Sequence, residues 1–202
     1  MGIPYKLIDA IVDRNPPPRD LWVITNDPGF PDDGVGRLIH ARLVRKLTAA
    51  FIGTNQDVFA QRDRGELEVE VIPEGTLAER FRAGGAGLGG FLTEVGLGTP
   101  VEEGKPKVYV NGRPYLIERP IRADVGLVKA HKADLKGNLI YQETARNFNP
   151  LVATCSDLVI AEVDEVVKIG EIDPEAVVTP FIYVDVLVRT RVRQWGRFRI
   201  WR

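Results

Sequence analysis

A cluster of seven glycines between positions 84 and 99 constrains the fold of this chain more than any other feature of its sequence. Such a cluster needs a reason, such as positive φ, tight turns or a ligand lying against bare backbone, because glycine loses much backbone entropy on folding. Gly85, Gly87 and Gly90 have the G-x-G-x-x-G spacing of a dinucleotide site. That site must follow a strand and open a helix, whereas residues 76–82 have helical periodicity. We therefore interpret the cluster as a loop, which either crosses the face of a sheet or shapes a pocket for another ligand.

Size and charge exclude several classes of function. The chain has 202 residues, 44% of them hydrophobic, and a formal net charge of −1. This size fits one α/β domain, and the near-zero charge gives no general attraction to nucleic acid or to a membrane. Cys155 is the single cysteine, so no internal disulfide is expected and a reducing compartment fits best. No secretory signal or membrane span is visible, so a cytoplasmic location is expected.

Strand and helix patterns alternate in the first half of the chain, which is typical of a mainly parallel sheet with helices on its faces. The strand patterns lie at 21–25, 47–52 and 66–72. The helical patterns between them lie at 35–46, 57–64 and 76–82. Asn111-Gly112 predicts a hairpin in the second half. We predict an α/β fold with a mainly parallel open sheet, helices on both faces and a small antiparallel β insertion.

The start of the chain is unusual for this fold class. Open parallel sheets usually begin with a strand, which often lies centrally, but this sequence begins with a helical pattern around 7–12. Either the fold is unusual or an N-terminal strand is missing. Loss of a central strand predicts unpaired backbone groups on its neighbours.

Three segments together resemble the alpha chain of class I coenzyme A transferases, in the acetate/acetoacetate group. They are residues 74–87, the loop 89–99, and residues 133–150 with the sequence Ala-Arg-Asn-Phe-Asn-Pro at their end. The resemblance runs from Gly2 to about Val188. It implies the fold shared by coenzyme A transferases and sugar-phosphate isomerases, with one alpha-type domain at 1–188 and a tail at 189–202 outside the family pattern.

The resemblance also implies a reaction and a partner. Family members move CoA between a short acyl-CoA of the acetyl, acetoacetyl or butyryl class and a free carboxylate, through a glutamyl-CoA thioester. Coenzyme A is thus a substrate, and no tightly bound cofactor and no metal is expected. The family's nucleophilic glutamate lies in a Ser-Glu-Asn-Gly motif of the beta subunit, which this chain lacks. We therefore expect no catalytic residue in this chain, a beta-subunit partner in an α2β2 heterotetramer, and no nucleic-acid or membrane partner.

The resemblance assigns two groups of site residues. The family's alpha chain opens with a strand and a Gly-Gly-Phe-x-x-x-Gly-x-Pro turn, whose N–H groups serve CoA and the thioester oxyanion. This sequence retains only Gly2-Ile3-Pro4 of that turn. The cofactor-binding residues expected from the resemblance are Gly2, Ile3, Pro4, Gly85, Gly87, Gly89 and Gly90. The substrate-binding residues expected from it are Asn26, Glu74 and Phe91.

Two of the substrate-binding residues carry open alternatives. Asn26 is a plausible amide donor to the bound carboxylate, and otherwise forms a simple Asx turn. Glu74 stands where the family usually has glutamine, and a glutamate there repels a carboxylate. Either Glu74 is protonated, or it pairs with a nearby arginine, or the substrate differs.

The tail and the start leave two other functions open. Six arginines and three aromatic residues follow Asp185 without any acid, a composition that can bind single-stranded nucleic acid or anionic lipid. We favour a disordered end or an extended last strand, and a frame-shifted end also fits. The chain as a whole is alternatively a truncated product that cannot complete the oxyanion site, or a ligand-sensing module of the same fold.

Overall fold

The computed structural model describes residues 2–190, and this range contains five α-helices and ten β-strands. The helices are α1 (Tyr5–Val12), α2 (Gly36–His40), α3 (Gln56–Asp63), α4 (Glu74–Gly85) and α5 (Asn149–Cys155). The first five strands are β1 (Leu21–Thr25), β2 (Val44–Ala49), β3 (Glu68–Val71), β4 (Phe91–Thr93) and β5 (Lys107–Val110). The others are β6 (Arg113–Glu118), β7 (Ala123–Asp134), β8 (Leu139–Ile140), β9 (Ser156–Val167) and β10 (Val186–Arg189). Residues 191–202, which include most of the basic aromatic tail, lie outside the described residues.

The strands form three sheets. One is parallel, with the order β1-β2-β3, and a second has the order β10-β9-β7-β8, in which only β8 is antiparallel. The third is a small antiparallel sheet, β4-β6-β5, which contains the predicted hairpin at Asn111-Gly112. The predicted α/β fold with an antiparallel insertion is therefore confirmed, although its parallel strands are divided between two sheets.

The two parallel sheets each have an open edge. Among the described residues, β1 pairs with β2 alone, and residues 123–131 of β7 pair with β9 alone. β3 and β10 likewise pair with one strand each, and Lys129 of β7 donates its N–H to Asn149 Oδ1 at 2.8 Å. The missing strand stays a prediction.

Helices cover both faces of the first sheet. Val23 packs into a core with α1, α2 and α3, whereas the next residue, Ile24, packs into a core with α4 and α5. Consecutive strand residues point to opposite faces, so these two cores lie on opposite sides of the sheet. The shared α4–α5 layer also connects the first sheet to the second, because Val152 of α5 packs against the core of β7 and β9.

The second helix is shorter than its sequence pattern predicts. The pattern predicted a helix over 35–46 and a strand from 47, but α2 ends at His40 and β2 begins at Val44. Arg42 has a φ of 56°, which a continuing α-helix does not allow. The backbone therefore turns there, and buried Leu43 and Val44 reach the core from the start of a strand rather than from a helical face.

Candidate functional site

The carboxyl ends of β1, β2 and β3 carry two of the predicted substrate-binding residues. Asn26 directly follows β1, and its carbonyl accepts hydrogen bonds from the N–H groups of Ala50 and Phe51 after β2. Glu74 is the first residue of α4, which follows β3. Both residues therefore lie at the edge of the sheet where open α/β folds bind ligands. They are separated by two strand spacings, about 10 Å.

The side-chain amide of Asn26 is available at this edge. Asp27, and not Asn26, makes the Asx turn: its Oδ1 accepts the N–H of Gly29 at 2.8 Å. No described residue hydrogen-bonds the Asn26 side chain, which is partly exposed. The Asx-turn alternative for Asn26 is therefore wrong, and its amide has donors to offer to a ligand.

The Glu74 side chain is exposed and has no ion-pair partner in the described part of the chain. The two arginines of α4 pair elsewhere: Arg80 donates to Glu70 of β3 at 3.2 Å, and Arg82 pairs with Glu79 at 2.9 Å. The alternative in which Glu74 pairs with an arginine is therefore not realised here. An acidic group at a helix N-terminus is favourable for the helix, but it adds negative charge to the mouth of the site.

The Gly2–Pro4 turn lies between two other segments. The carbonyl of Gly2 accepts a hydrogen bond from Asn149 Nδ2 at 3.0 Å. On its other side, the Ile3 side chain lies against Gly34 in the loop that follows β1. The turn therefore lies between Gly34, in the loop that follows β1, and the segment that precedes α5.

Only part of the backbone at this turn can bind an anion. The N–H groups of Lys6 and Leu7, in the first turn of α1, already donate to Glu162 Oε2 at 2.8 and 3.3 Å. The N–H of Tyr5 donates to the Ile3 carbonyl. The Ile3 N–H, by contrast, has no acceptor among the described residues. The N–H of Gly2 likewise has no acceptor among the described residues, so the donors that remain for an oxyanion are in the turn itself and not in the helix.

The glycine loop lies at the opposite end of α4 from Glu74. Gly85 is the last residue of α4 and packs against Thr154 of α5, so it is separated from Glu74 by the length of a 12-residue helix, about 18 Å. Gly87 and Gly89 follow it on the surface. α4 therefore separates this loop from Glu74, and the loop forms a second group of candidate site residues.

The order of elements around the glycines agrees with the rejection of a dinucleotide site. A helix, α4, precedes them and a strand, β4, follows them, which is the reverse of the order that a dinucleotide fingerprint requires. Gly90 has a φ of 153°, and a Cβ there would lie 2.7 Å from the Glu118 carbonyl oxygen. Phe91 then pairs with Glu118 in the antiparallel sheet. These glycines let the chain leave α4 and join that sheet.

Two residues at the site were missed by sequence reasoning. Asn149 precedes Pro150 in a pattern that is typical of a helix cap, but Phe148 is the N-cap residue and the Asn149 side chain bonds elsewhere. Glu162 is buried in the middle of β9. A single charged residue within the apolar pattern of residues 158–163 was the available signal for it, because buried charges require partners.

The turn after β7 is organised by Asp134. Its carboxylate is buried and accepts hydrogen bonds from the N–H groups of Lys136, Gly137 and Asn138 and from the Asn138 side chain. Burial raises the pKa of Asp134, but these hydrogen bonds outweigh burial and hold the pKa below its usual value. The segment 133–139, which carries part of the family resemblance, thus has a structural role.

Asp134→Asn is expected to lower the free energy of unfolding at pH 7 by about 2 kcal/mol, because hydrogen bonds to a charged group are lost. A lowered pKa in the folded state stabilises the fold above the unfolded-state pKa, and this stabilisation is lost as pH falls through the folded-state pKa. The difference in the free energy of unfolding between wild type and variant should therefore shrink below about pH 4. Urea unfolding of both proteins at pH 7 and at acid pH measures it. An equal difference at both pH values would contradict this role.

Cys155 does not have the environment of a nucleophile. The thiol is fully buried and contacts the Val152 carbonyl at 3.6 Å. Burial raises the pKa of this thiol, which lowers the thiolate fraction. Cys155 is therefore a small buried side chain of the core.

Comparison with known families identifies the family of this chain. The family model described as coenzyme A transferase matches residues 1–190. The chain belongs to the coenzyme A transferase family. It is therefore a transferase chain, and the resemblance found in its sequence is confirmed.

Relatives of this coenzyme A transferase chain are similar over most of its length. The alpha subunit of acetate CoA-transferase from Escherichia coli K12 is 47% identical over 188 residues, which cover 93% of this chain and 84% of that protein. The alpha subunit of acetoacetyl-CoA:acetate/butyrate CoA transferase from Clostridium acetobutylicum is 44% identical over 188 residues, covering 93% and 85%. Both relatives are named as one subunit of an enzyme, which implies a partner subunit.

Solved structures share the fold of this coenzyme A transferase chain. The acyl-CoA transferase YdiF of Escherichia coli O157:H7 superposes with a TM-score of 0.81 at 20% identity, over 93% of this chain and 41% of that chain. Glutaconate coenzyme A-transferase of Acidaminococcus fermentans has a TM-score of 0.79 at 15% identity, over 93% and 67%. In residues 2–190, no helix is long and apolar enough to cross a membrane. The same residues contain no group of His, Cys, Asp or Glu that could hold a metal ion.

Proposed function

We propose that this chain is the alpha subunit of a heteromeric enzyme that moves CoA between a short acyl-CoA and a free carboxylate. The observation that carries the proposal is the 47% identity to the alpha subunit of an acetate CoA-transferase over 93% of the chain. Residues 1–188 form its alpha-type domain, and it acts with a beta subunit in an α2β2 assembly in the cytoplasm. Acetyl-, acetoacetyl- and butyryl-CoA are the donors that the family resemblance favours.

The nucleophile belongs to the partner. Its glutamate attacks the acyl thioester, which expels the CoA thiolate and leaves an acyl-glutamyl anhydride. The thiolate then attacks the glutamyl carbonyl, which releases the first carboxylate and leaves CoA as a glutamyl thioester. The incoming carboxylate runs the same two steps in reverse order, takes CoA and restores the free glutamate. Negative charge develops on the thioester oxygen during each attack. The Ile3 N–H, which has no acceptor among the described residues, is the donor in this chain that we assign to that charge.

The remaining candidate site residues form two groups according to their position in the fold. Asn26 offers its free amide to the substrate carboxylate, and Glu74 lies at the same edge of the sheet. Gly85, Gly87, Gly89, Gly90 and Phe91 form the second group at the other end of α4 and beyond it. We assign this second group to the wall of the CoA channel, where bare backbone allows close approach of a ligand.

The proposal is tested by co-expressing this chain with a beta subunit that contains the Ser-Glu-Asn-Gly motif, from the acetate CoA-transferase group. The two chains should co-purify and exchange CoA between acetyl-CoA or acetoacetyl-CoA and carboxylates, whereas this chain alone should be inactive. Absence of both co-purification and exchange, with a partner that is active with its own alpha subunit, would refute the proposal.

Glu74→Gln should lower the KM for the carboxylate substrate by roughly tenfold, because one negative charge near a bound anion is removed. The KM for acyl-CoA should change less. The matched control is Glu79→Gln, the same change on the same helix, where Glu79 pairs with Arg82 on the surface. Steady-state kinetics with acetate as the varied substrate measure both. Equal effects of the two substitutions would contradict a role for Glu74 near the carboxylate.

A further inference from the structure

The Asn149 side chain connects three separate segments of the main chain. Its Oδ1 accepts the N–H of Lys129 in β7 at 2.8 Å. Its Nδ2 donates to the carbonyls of Gly2 at 3.0 Å and of Ala145 at 2.9 Å. All three partners are backbone groups, so the side chain fixes the positions of main-chain segments, one of which lies 147 residues from Asn149 along the chain.

The contact with the Gly2–Pro4 turn is tight and is shielded from water. Asn149 is only 8% exposed. A Cβ on Gly2 would lie 2.4 Å from Asn149 Nδ2 and 2.9 Å from Ala145 Cα. Both distances are too short for a side chain, so the backbone of Gly2 lies directly against Asn149 and the segment before it.

A second buried side chain holds the other end of the turn. Glu162 of β9 accepts the first N–H groups of α1, which begins right after Pro4. Its other carboxylate oxygen accepts the hydroxyl of Thr190 at 3.2 Å. The short stretch Gly2–Pro4 is thus fixed at its start by Asn149 and at its end by Glu162, and the Ile3 N–H lies between the two fixed points.

We infer that Asn149 is a positioning residue for the transfer reaction: it holds the Gly2–Pro4 turn so that the Ile3 N–H meets the thioester oxygen as charge develops there. The inference rests on the proposed function of this chain. A donor contributes to the transition state only when it is already in place, and a displacement of about 1 Å can cost on the order of 100-fold in rate. Asn149 acts through the backbone and does not touch the substrate.

The chemistry of the site requires an amide at position 149. One acceptor and two donors are used, and an asparagine side chain supplies both kinds of group. A carboxylate of the same shape would still accept from Lys129, but it would place an oxygen against the carbonyls of Gly2 and Ala145. Asn149→Asp therefore keeps the size of the side chain and the hydrogen bond from Lys129. It removes only the hydrogen bonds to the carbonyls of Gly2 and Ala145.

The test compares Asn149→Asp with wild type in the complex with the beta subunit. The variant should lose at least 100-fold in kcat, per folded complex, while the KM for acetyl-CoA and the ratio of the two chains change less than threefold. Single-turnover formation of the glutamyl thioester should fall by the same factor as kcat. Asn147→Asp is the matched control, because Asn147 is exposed and its side chain has no described partner; it should retain wild-type kcat.

A second variant keeps the inference testable if Asn149→Asp does not fold. Gly2→Ala pushes the turn away from an unchanged Asn149 and should also lower kcat with little change in KM. The inference is overturned if either variant, folded and assembled, keeps kcat within threefold of wild type. It is also overturned if the loss appears only as lower thermal stability. An inactive wild-type complex would instead count against the proposed function.

Discussion

Replacing Gly84 by alanine is expected to lower the free energy of unfolding by about 4 kcal/mol, as a severe overpacking change does. A Cβ on Gly84 would lie 1.8 Å from the Ile121 carbonyl oxygen and 2.7 Å from the carbonyl carbon. These atoms are backbone, so no change of rotamer relieves the clash. The Ile121 segment is also held in place, since its N–H donates to the Arg80 carbonyl of α4 at 2.8 Å.

Gly75→Ala is the control for this prediction because it makes the same change near the other end of α4. Nothing lies within 4 Å of a Cβ built on Gly75. Alanine should therefore be neutral there or stabilise the helix by up to about 1 kcal/mol. Urea unfolding of the two variants measures the difference. Similar stabilities for both would show that α4 is not packed against Ile121 as the structure has it.

Asn26→Asp is expected to reduce kcat/KM for the carboxylate substrate by about 100-fold while leaving stability unchanged. The substitution replaces a donor to the bound carboxylate by a repelling acceptor, and loss of a hydrogen bond to a charged group costs about 1.5–3 kcal/mol. No hydrogen bond within the described structure is lost, because the Asn26 side chain makes none. Steady-state kinetics and thermal unfolding of the same preparation separate the two effects.

Asp27, the residue next to Asn26, serves as the control, because its replacement should lower stability and leave activity nearly unchanged. Asp27→Ala removes the Asx turn to Gly29 and should cost about 1 kcal/mol of stability, with little change in activity per folded complex. If Asp27→Ala abolished activity and Asn26→Asp did not, the assignment of the substrate donor to Asn26 would be wrong.

The features of the fold that local sequence patterns encode were predicted correctly. Alternation of strands and helices gave the α/β class, and Asn111-Gly112 predicted the hairpin. The end of α2 was missed because apolar residues at Leu43 and Val44 fit both a helical face and a buried strand. Arg42, with its positive φ, has no feature that marks a turn in advance.

The candidate site was predictable only in part because its main contacts are long-range. Asn26 and Glu74 were placed at strand ends by pattern and resemblance, and the structure brings both to one edge of the sheet. The bonds from Asn149 to Gly2 and from Lys6 to Glu162 join residues 147 and 156 positions apart. Asn149 before Pro150 looks like a helix cap in sequence, since nothing local distinguishes a cap from a side chain that bonds backwards to distant backbone.

The glycine cluster also combines features that local sequence patterns predict with features that depend on long-range contacts. Its spacing alone suggests a nucleotide site, and the elements around it reject that interpretation. Gly84 is glycine because α4 packs against Ile121, and Gly90 because the chain passes the Glu118 carbonyl. Gly87 and Gly89 have open space around them and remain candidates for contact with a ligand.

The measurement that tests the central claim most directly is the location of the covalent intermediate. The complex of this chain with its beta subunit is incubated with acetyl-CoA, quenched, and analysed by intact-protein mass spectrometry before and after treatment with hydroxylamine. The account predicts a CoA adduct on the beta subunit, removed by hydroxylamine, and an unmodified alpha chain. A CoA adduct on this chain, or rapid CoA exchange by a complex in which no adduct forms on either chain, would contradict it.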